Sequence, residues 1–135
     1  MRAIPIGAKG VFETLVRQED LANTFKDATL PPILATPVMI KFMENAALLA
    51  IQPYLEGNET ALGTAVDVRH VAATPAGQRV SVEAEVIAVD GSRVTFTVRA
   101  EDGHQEIGRG THERRIVDAV RFAQRLAAER KTNVS

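Results

Sequence analysis

Between Val38 and Ile51 the chain admits polar residues only at Lys41, Glu44 and Asn45. A helix this apolar must be covered on most of its sides. Its borders are marked. Thr36 offers a hydroxyl suited to an N-cap, and Pro37 suits the first helical position, where no backbone N–H is needed. Pro53 and Gly57 end the element after Gln52. The rest of the chain has to supply a surface that wraps this helix.

That surface comes from the second half. From Gly63 the hydrophobic period is two: Thr64, Val66, Val68 and His70 share one face of a strand, and Ala65, Asp67 and Arg69 share the other. After a turn signal at Thr74-Pro75-Ala76-Gly77, a second alternation runs through Val80, Val82, Ala84, Val86 and Ala88. Asp90-Gly91 and Asp102-Gly103 mark two hairpins, with Val94, Phe96, Val98 and Ala100 alternating between them and a last strand through Ile107 to Ile116. Earlier in the chain, Val11 to Val16 reads as a first strand. Residues 17–35, with Asn23, Asp27, Pro31 and Pro32, read as a long loop holding at most a turn of helix. Loops of that length are often lids or binding loops. Residues 118–131 are helix-like, and the tail from Thr132 to Ser135 is expected to fray. One helix cannot cover both faces of five strands. The second face or an edge therefore meets another copy of the chain, and a two-fold homodimer is the simplest symmetric solution.

Composition narrows the functions. A length of 135 residues makes one domain, 1–135, large enough for a core without staples. The absence of cysteine excludes disulfides, thiolate metal sites and a cysteine nucleophile. Sixteen basic residues against seventeen acidic ones argue against nucleic-acid binding through bulk charge. No apolar run approaches the roughly 20 residues of a membrane span. Met1 to Gly7 lacks the apolar core of a secretory signal, so the expected setting is cytoplasmic.

Three residues break the pattern in ways that chemistry could use. Glu44 projects from a largely apolar cylinder, with Ile40, Lys41, Ala47 and Leu48 one turn away. It is either a helix-edge carboxylate, solvated or paired with Lys41, or a partly buried one suited to base or nucleophile work. His70 ends an apolar strand face, as a satisfied core histidine or as an imidazole poised in a half-buried cleft. Thr36 is sufficiently explained as a helix cap. The positive end of a helix is also where a carbonyl oxygen can be polarised. Gly108 and Gly110 mark a bulge or a close approach in the last strand. His104 and His112 have no metal-ligand spacing with other residues, and no metal is expected.

Four segments together resemble the fluoroacetyl-CoA thioesterase family. They are Thr36-Pro37-Val38-Met39 with Met43-Glu44, then Leu62-Gly63-Thr64-Ala65, then His70-Val71-Ala72-Ala73-Thr74-Pro75, and finally Glu106-Ile107-Gly108-Arg109-Gly110-Thr111-His112-Glu113-Arg114. The resemblance covers residues 35–116. It implies an α+β hot-dog fold, in which an antiparallel sheet wraps around one long central helix, with a C-terminal helix added. It implies hydrolysis of a short-chain acyl-CoA thioester, with no cofactor, CoA being part of the substrate. By the motif match it implies Thr36, Glu44 and His70 as catalytic, Gly63 beside the thioester and Arg114 as organiser of the site. In the family's fluoroacetyl-CoA enzyme a phenylalanine in the loop before the helix helps form a lid. The matching stretch Asp27-Ala28-Thr29-Leu30-Pro31-Pro32 has none, which points to broader short-chain specificity. A non-catalytic acyl-CoA-binding module and a hot-dog enoyl-CoA hydratase or dehydratase are the alternatives. The Asp–His pair typical of the latter is not found.

Overall fold

The computed structural model describes residues 1–133. Five strands, β1 (Lys9–Leu15), β2 (Glu59–His70), β3 (Arg79–Asp90), β4 (Arg93–Glu101) and β5 (Glu106–Asp118), form one sheet in the order β1-β3-β4-β5-β2. Every neighbouring pair is antiparallel. Three helices accompany them: the single turn α1 (Ala22–Phe25), the long α2 (Thr36–Ile51) and α3 (Ala119–Asn133). α2 contacts all five strands. The order strand, loop, buried helix, four strands, helix is the one the hydrophobic pattern predicts.

The core is the seam between α2 and the sheet. Val38, Met39, Phe42, Met43, Ala46, Ala47, Ala50 and Ile51 are buried on α2, a spacing that fills one broad face of a helix. They meet the inward rows Val80, Val82, Ala84 and Val86 of β3 and Val94, Phe96, Val98 and Ala100 of β4, all buried. β1 crosses α2 at Gly10, so closely that a Cβ there would strike the backbone of Ala46 and Ala50. Residues 17–35 are more structured than their composition suggests. A 3-10 turn (Gln18–Asp20) and α1 are followed by a bridge between Leu21 and Leu34, both fully buried.

Two local expectations are corrected. The N-cap of α2 is Ala35, with no side-chain cap bond, and Thr36 is already helical. Pro37, in the first two helical positions, tolerates its missing N–H as expected. Strand β2 starts at Glu59, and a bulge between Gly63 and Ala65 shifts its register against β5. The shift moves Thr64 off the face of Val66, Val68 and His70 and puts Gly63 on the α2 side instead.

α3 is exposed from Ala119 to Lys131, with Val120, Phe122 and Leu126 facing solvent. It runs through Asn133, so the first two residues of the expected frayed tail are helical. Val134 and Ser135 lie outside the described residues. No helix among the described residues is long and apolar enough to cross a membrane.

Candidate active site

The residues singled out in the sequence gather into two groups along α2. The first lies at its start. Because Ala35 occupies the cap position, the Thr36 hydroxyl is not spent on helix amides; it sits 2.8 Å from His70 Nδ1 at the end of β2. Burial pushes the His70 imidazole below its ordinary value, offset in part by the Ala72 carbonyl. The ring is therefore neutral near pH 7. Its Nε2 is buried without a partner in hydrogen-bond geometry. A neutral ring accepting at Nδ1 draws on the Thr36 O–H. Polarisation by free helix amides is more limited than the cap reading supposed. The Val38 and Met39 N–H groups both donate to the Ala35 carbonyl, and Pro37 has none.

The second group lies two turns further on. Glu44 Oε2 is 3.4 Å from Arg114 Nη1, with side-chain exposures of 38% and 8%. Its partner is thus a buried arginine rather than Lys41, whose ammonium sits over the Phe42 ring. Arg114 Nη2 donates to the Ala61 carbonyl at 2.6 Å, and Nη1 also lies 3.1 Å from His112 Nε2. Burial pulls the guanidinium below its usual range while the Glu44 charge pushes it back. Gly63 roofs the group: a Cβ there would come 2.9 Å from Glu44 Oε2. The bulge at Gly63 is what delivers this bare backbone to the carboxylate.

His112 is the residue that sequence reasoning missed. It is 2% exposed, its ring stacks on Phe96, and its Nδ1 lies 2.9 Å from the Ala65 carbonyl. A carbonyl only accepts, so Nδ1 carries the proton and Nε2 accepts from Arg114. Burial lowers its proton affinity first; the Ala65 carbonyl raises it, and the Arg114 charge lowers it further. A neutral His112 therefore fixes the guanidinium that holds Glu44. The signal was present in the alternation of β5, where His112 and Arg114 share a face at a spacing of two.

Within one chain these groups do not meet. Thr36 and Glu44 are eight positions apart on α2, about 12 Å of helix rise. The structure joins Thr36 to His70, and Glu44 to Gly63 and Arg114. It leaves the two sets at opposite ends of the part of β2 that runs from Gly63 to His70. Among the described residues no cluster of three His, Asp or Glu side chains could hold a metal ion.

This division, with each motif residue paired inside its own group, can be set beside known proteins. Residues 16–120 match the family described as FlK: Fluoroacetyl-CoA-specific thioesterase. The chain belongs to this thioesterase family. A fluoroacetyl-CoA thioesterase of Streptantibioticus cattleyicolor is 47% identical over 95 residues, which is 70% of this chain and 68% of that protein. A solved structure of the fluoroacetyl-CoA thioesterase FlK superposes with a TM-score of 0.88 at 36% identity, covering 93% of this chain and 97% of that one. A Thermus thermophilus protein described as a thioesterase superfamily member does so at 0.87 and 35%, covering 98% and 99%. These FlK-like structures carry the hot-dog architecture that the sequence resemblance implied. Mutant FlK chains have been solved with acetyl-CoA and with fluoroacetate and CoA, so the family fold accommodates both halves of such a thioester.

Proposed function

We propose that the protein hydrolyses a short-chain acyl-CoA thioester to the free acid and CoA, as a homodimer whose two sites each draw on both chains. The observation that carries this reading is the Thr36–His70 hydrogen bond: a hydroxyl released from capping and held on a half-buried, neutral imidazole. His70 accepts at Nδ1 and handles protons in the reaction. Once Nδ1 carries a proton it donates back to the Thr36 oxygen, which frees the Thr36 O–H to donate to the acyl oxygen, where charge develops as the carbonyl carbon is attacked. Glu44 supplies the carboxylate that meets that carbon, directly or through a water, and Arg114 and Gly63 set its position. The C–S bond breaks as the new C–O bond forms; a water oxygen ends on the acyl carbon, added directly or by hydrolysis of the Glu44 acyl anhydride, and the CoA thiolate takes up the proton that the water gives up. The only cofactor-like group required is the CoA of the substrate itself.

The dimer is supported by the free edge of β2, exposed on both faces from Leu62 to Asp67. An unpaired edge of this length is a template for another strand. Antiparallel pairing of β2 with its copy, centred between Val66 and Asp67, sets Gly63 opposite the partner's His70 at the roughly 5 Å strand spacing. The carboxylate group of one chain then adjoins the Thr36–His70 group of the other. A cytoplasmic setting suits such a reaction and a chain without cysteine.

The test is to incubate the purified protein with a panel of acyl-CoAs and a thiol reagent. Release of free CoA from acetyl-CoA and other short acyl-CoAs is expected. Acetyl and fluoroacetyl substrates should give comparable kcat/KM, since residues 27–32 present Leu30 and two prolines where an aromatic lid would sit. Hydration of an enoyl-CoA without thiol release would instead identify a hydratase. Protection from heat without turnover would identify a binding module. A monomer by light scattering at micromolar concentration would contradict the shared sites.

A further inference from the structure

Asp102 and Thr74 read in the sequence as ordinary turn residues, yet both are buried, Asp102 at 3% exposure and Thr74 at 0%. Asp102 Oδ1 accepts the backbone N–H groups of His104 at 3.0 Å and Gln105 at 3.1 Å, and Oδ2 accepts the Thr74 hydroxyl at 3.2 Å. The Gln78 side chain donates to the Asp102 main-chain carbonyl at 2.7 Å. Burial alone would push this carboxyl up, but the donors from His104, Gln105 and Thr74, with the nearby His104 ring, hold it below the ordinary carboxylate range. It is a buried anion satisfied by neutral donors, and one of those donors is not local. A hairpin needs the two amides; it does not need Thr74, which lies 28 residues away.

Thr74 points both ways. Its hydroxyl goes to Asp102, and its carbonyl accepts the Leu34 N–H at 2.8 Å. Leu34 is fully buried and leads through Ala35, whose N–H is held by the Asp20 carbonyl, into Thr36. On the other side, the loop from Thr74 runs back to His70, with the Val71 N–H held on the Ile107 carbonyl at 2.7 Å. Thus one residue ties together the two chain segments that carry the Thr36 hydroxyl and the His70 ring.

We propose that Asp102, acting through Thr74, is a positioning residue for the Thr36–His70 pair: the buried carboxylate orients the Thr74 peptide, which sets the distance between the start of α2 and the end of β2. This rests on the reading of that pair as the reactive one. The His70 ring meets the Thr36 hydroxyl from α2 and the Ala72 carbonyl from its own loop, and no charged group contributes to its shift. Its protonation therefore reports how tightly the two segments close over it.

The experiment compares Thr74→Val, which keeps the shape and removes the hydroxyl, with Thr74→Ser, which keeps the hydroxyl, and with Asp102→Asn, in the full chain. NMR titration of His70 without substrate is read first. In Thr74→Val and Asp102→Asn its midpoint should rise toward the ordinary imidazole value of about 6.5 as the ring gains water. Thr74→Ser should keep the wild-type midpoint. In acetyl-CoA hydrolysis, Thr74→Val should lose about tenfold or more in kcat with KM changed much less, and Thr74→Ser should restore it. A folded Thr74→Val or Asp102→Asn chain with an unchanged His70 midpoint would overturn the proposal and leave the network to stability alone. The titration needs no turnover, so a wild-type protein inactive on acetyl-CoA would refute the thioesterase reading while still testing this one.

Discussion

The two groups on α2 are built on opposite electrostatic plans. The Thr36–His70 group is uncharged at neutral pH: a hydroxyl and an imidazole whose proton affinity is kept low by burial. The Glu44 group is charged and compensated. A carboxylate faces a buried guanidinium that is held in turn by His112 and the Ala61 carbonyl. Burial tunes the first group and pairing tunes the second, since a buried charge survives only with partners. In the proposed reaction the first would carry protons, while the second would hold a fixed charge in place for the carbonyl.

The sharpest way to break this contrast is to remove one group at a time. Glu44→Gln and His70→Ala should each lower kcat/KM for acetyl-CoA by about 10²-fold or more. The double variant should lose less than the product of the two, because residues acting as a unit are non-additive. Glu44→Gln should melt within about 1 kcal/mol of wild type, since the half-exposed amide oxygen still accepts from Arg114. Wild-type turnover in a well-folded Glu44→Gln chain would remove the carboxylate from the mechanism.

A smaller effect is expected from His112→Phe, which keeps the stack on Phe96 but deletes the acceptor for Arg114 Nη1. It should cost about 1–3 kcal/mol in chemical denaturation, because a buried donor is left unpaired. The charged group should suffer more than the neutral one, so the His70 NMR titration should stay as in wild type.

The smallest effect is on pH. His70 and His112 both have folded proton affinities below the unfolded value of about 6.5. Below that value the unfolded chain binds more protons than the folded one, so stability falls as pH falls. The stability from these two rings is fully present above about pH 6.5 and is lost as pH drops through their folded values. Melting temperatures at pH 7.5 and pH 5.5 should show the decrease, and His70→Ala should reduce its slope.

Much of this architecture was legible because it repeats along the chain. The apolar run from Val38 to Ile51 and the period of two in β3, β4 and β5 are one-dimensional signals, and they became the core seam. The β2 bulge was not legible: the alternation around Thr64 looks unbroken, and the slip at Gly63 is imposed by pairing with β5. Thr36 looked like a cap because its residue type suits one, yet Ala35 takes that position and leaves the hydroxyl to His70. Glu44 stood out as a charge on an apolar helix. Its partner lies 70 residues away, a distance at which no local pattern operates. The motif resemblance named Thr36, Glu44, His70, Gly63 and Arg114 together, and it carried no sign that the structure divides them into two groups.

Whether those groups work together across a chain boundary can be decided by mixing Glu44→Gln and His70→Ala protein after joint unfolding and refolding, then measuring acetyl-CoA hydrolysis. If each site takes its carboxylate from one chain and its Thr36–His70 pair from the other, every mixed dimer regains one intact site. Random pairing then restores about a quarter of wild-type activity from two nearly inactive proteins. Activity that stays at the sum of the two parents, with mixed dimers shown to have formed, would contradict the shared site.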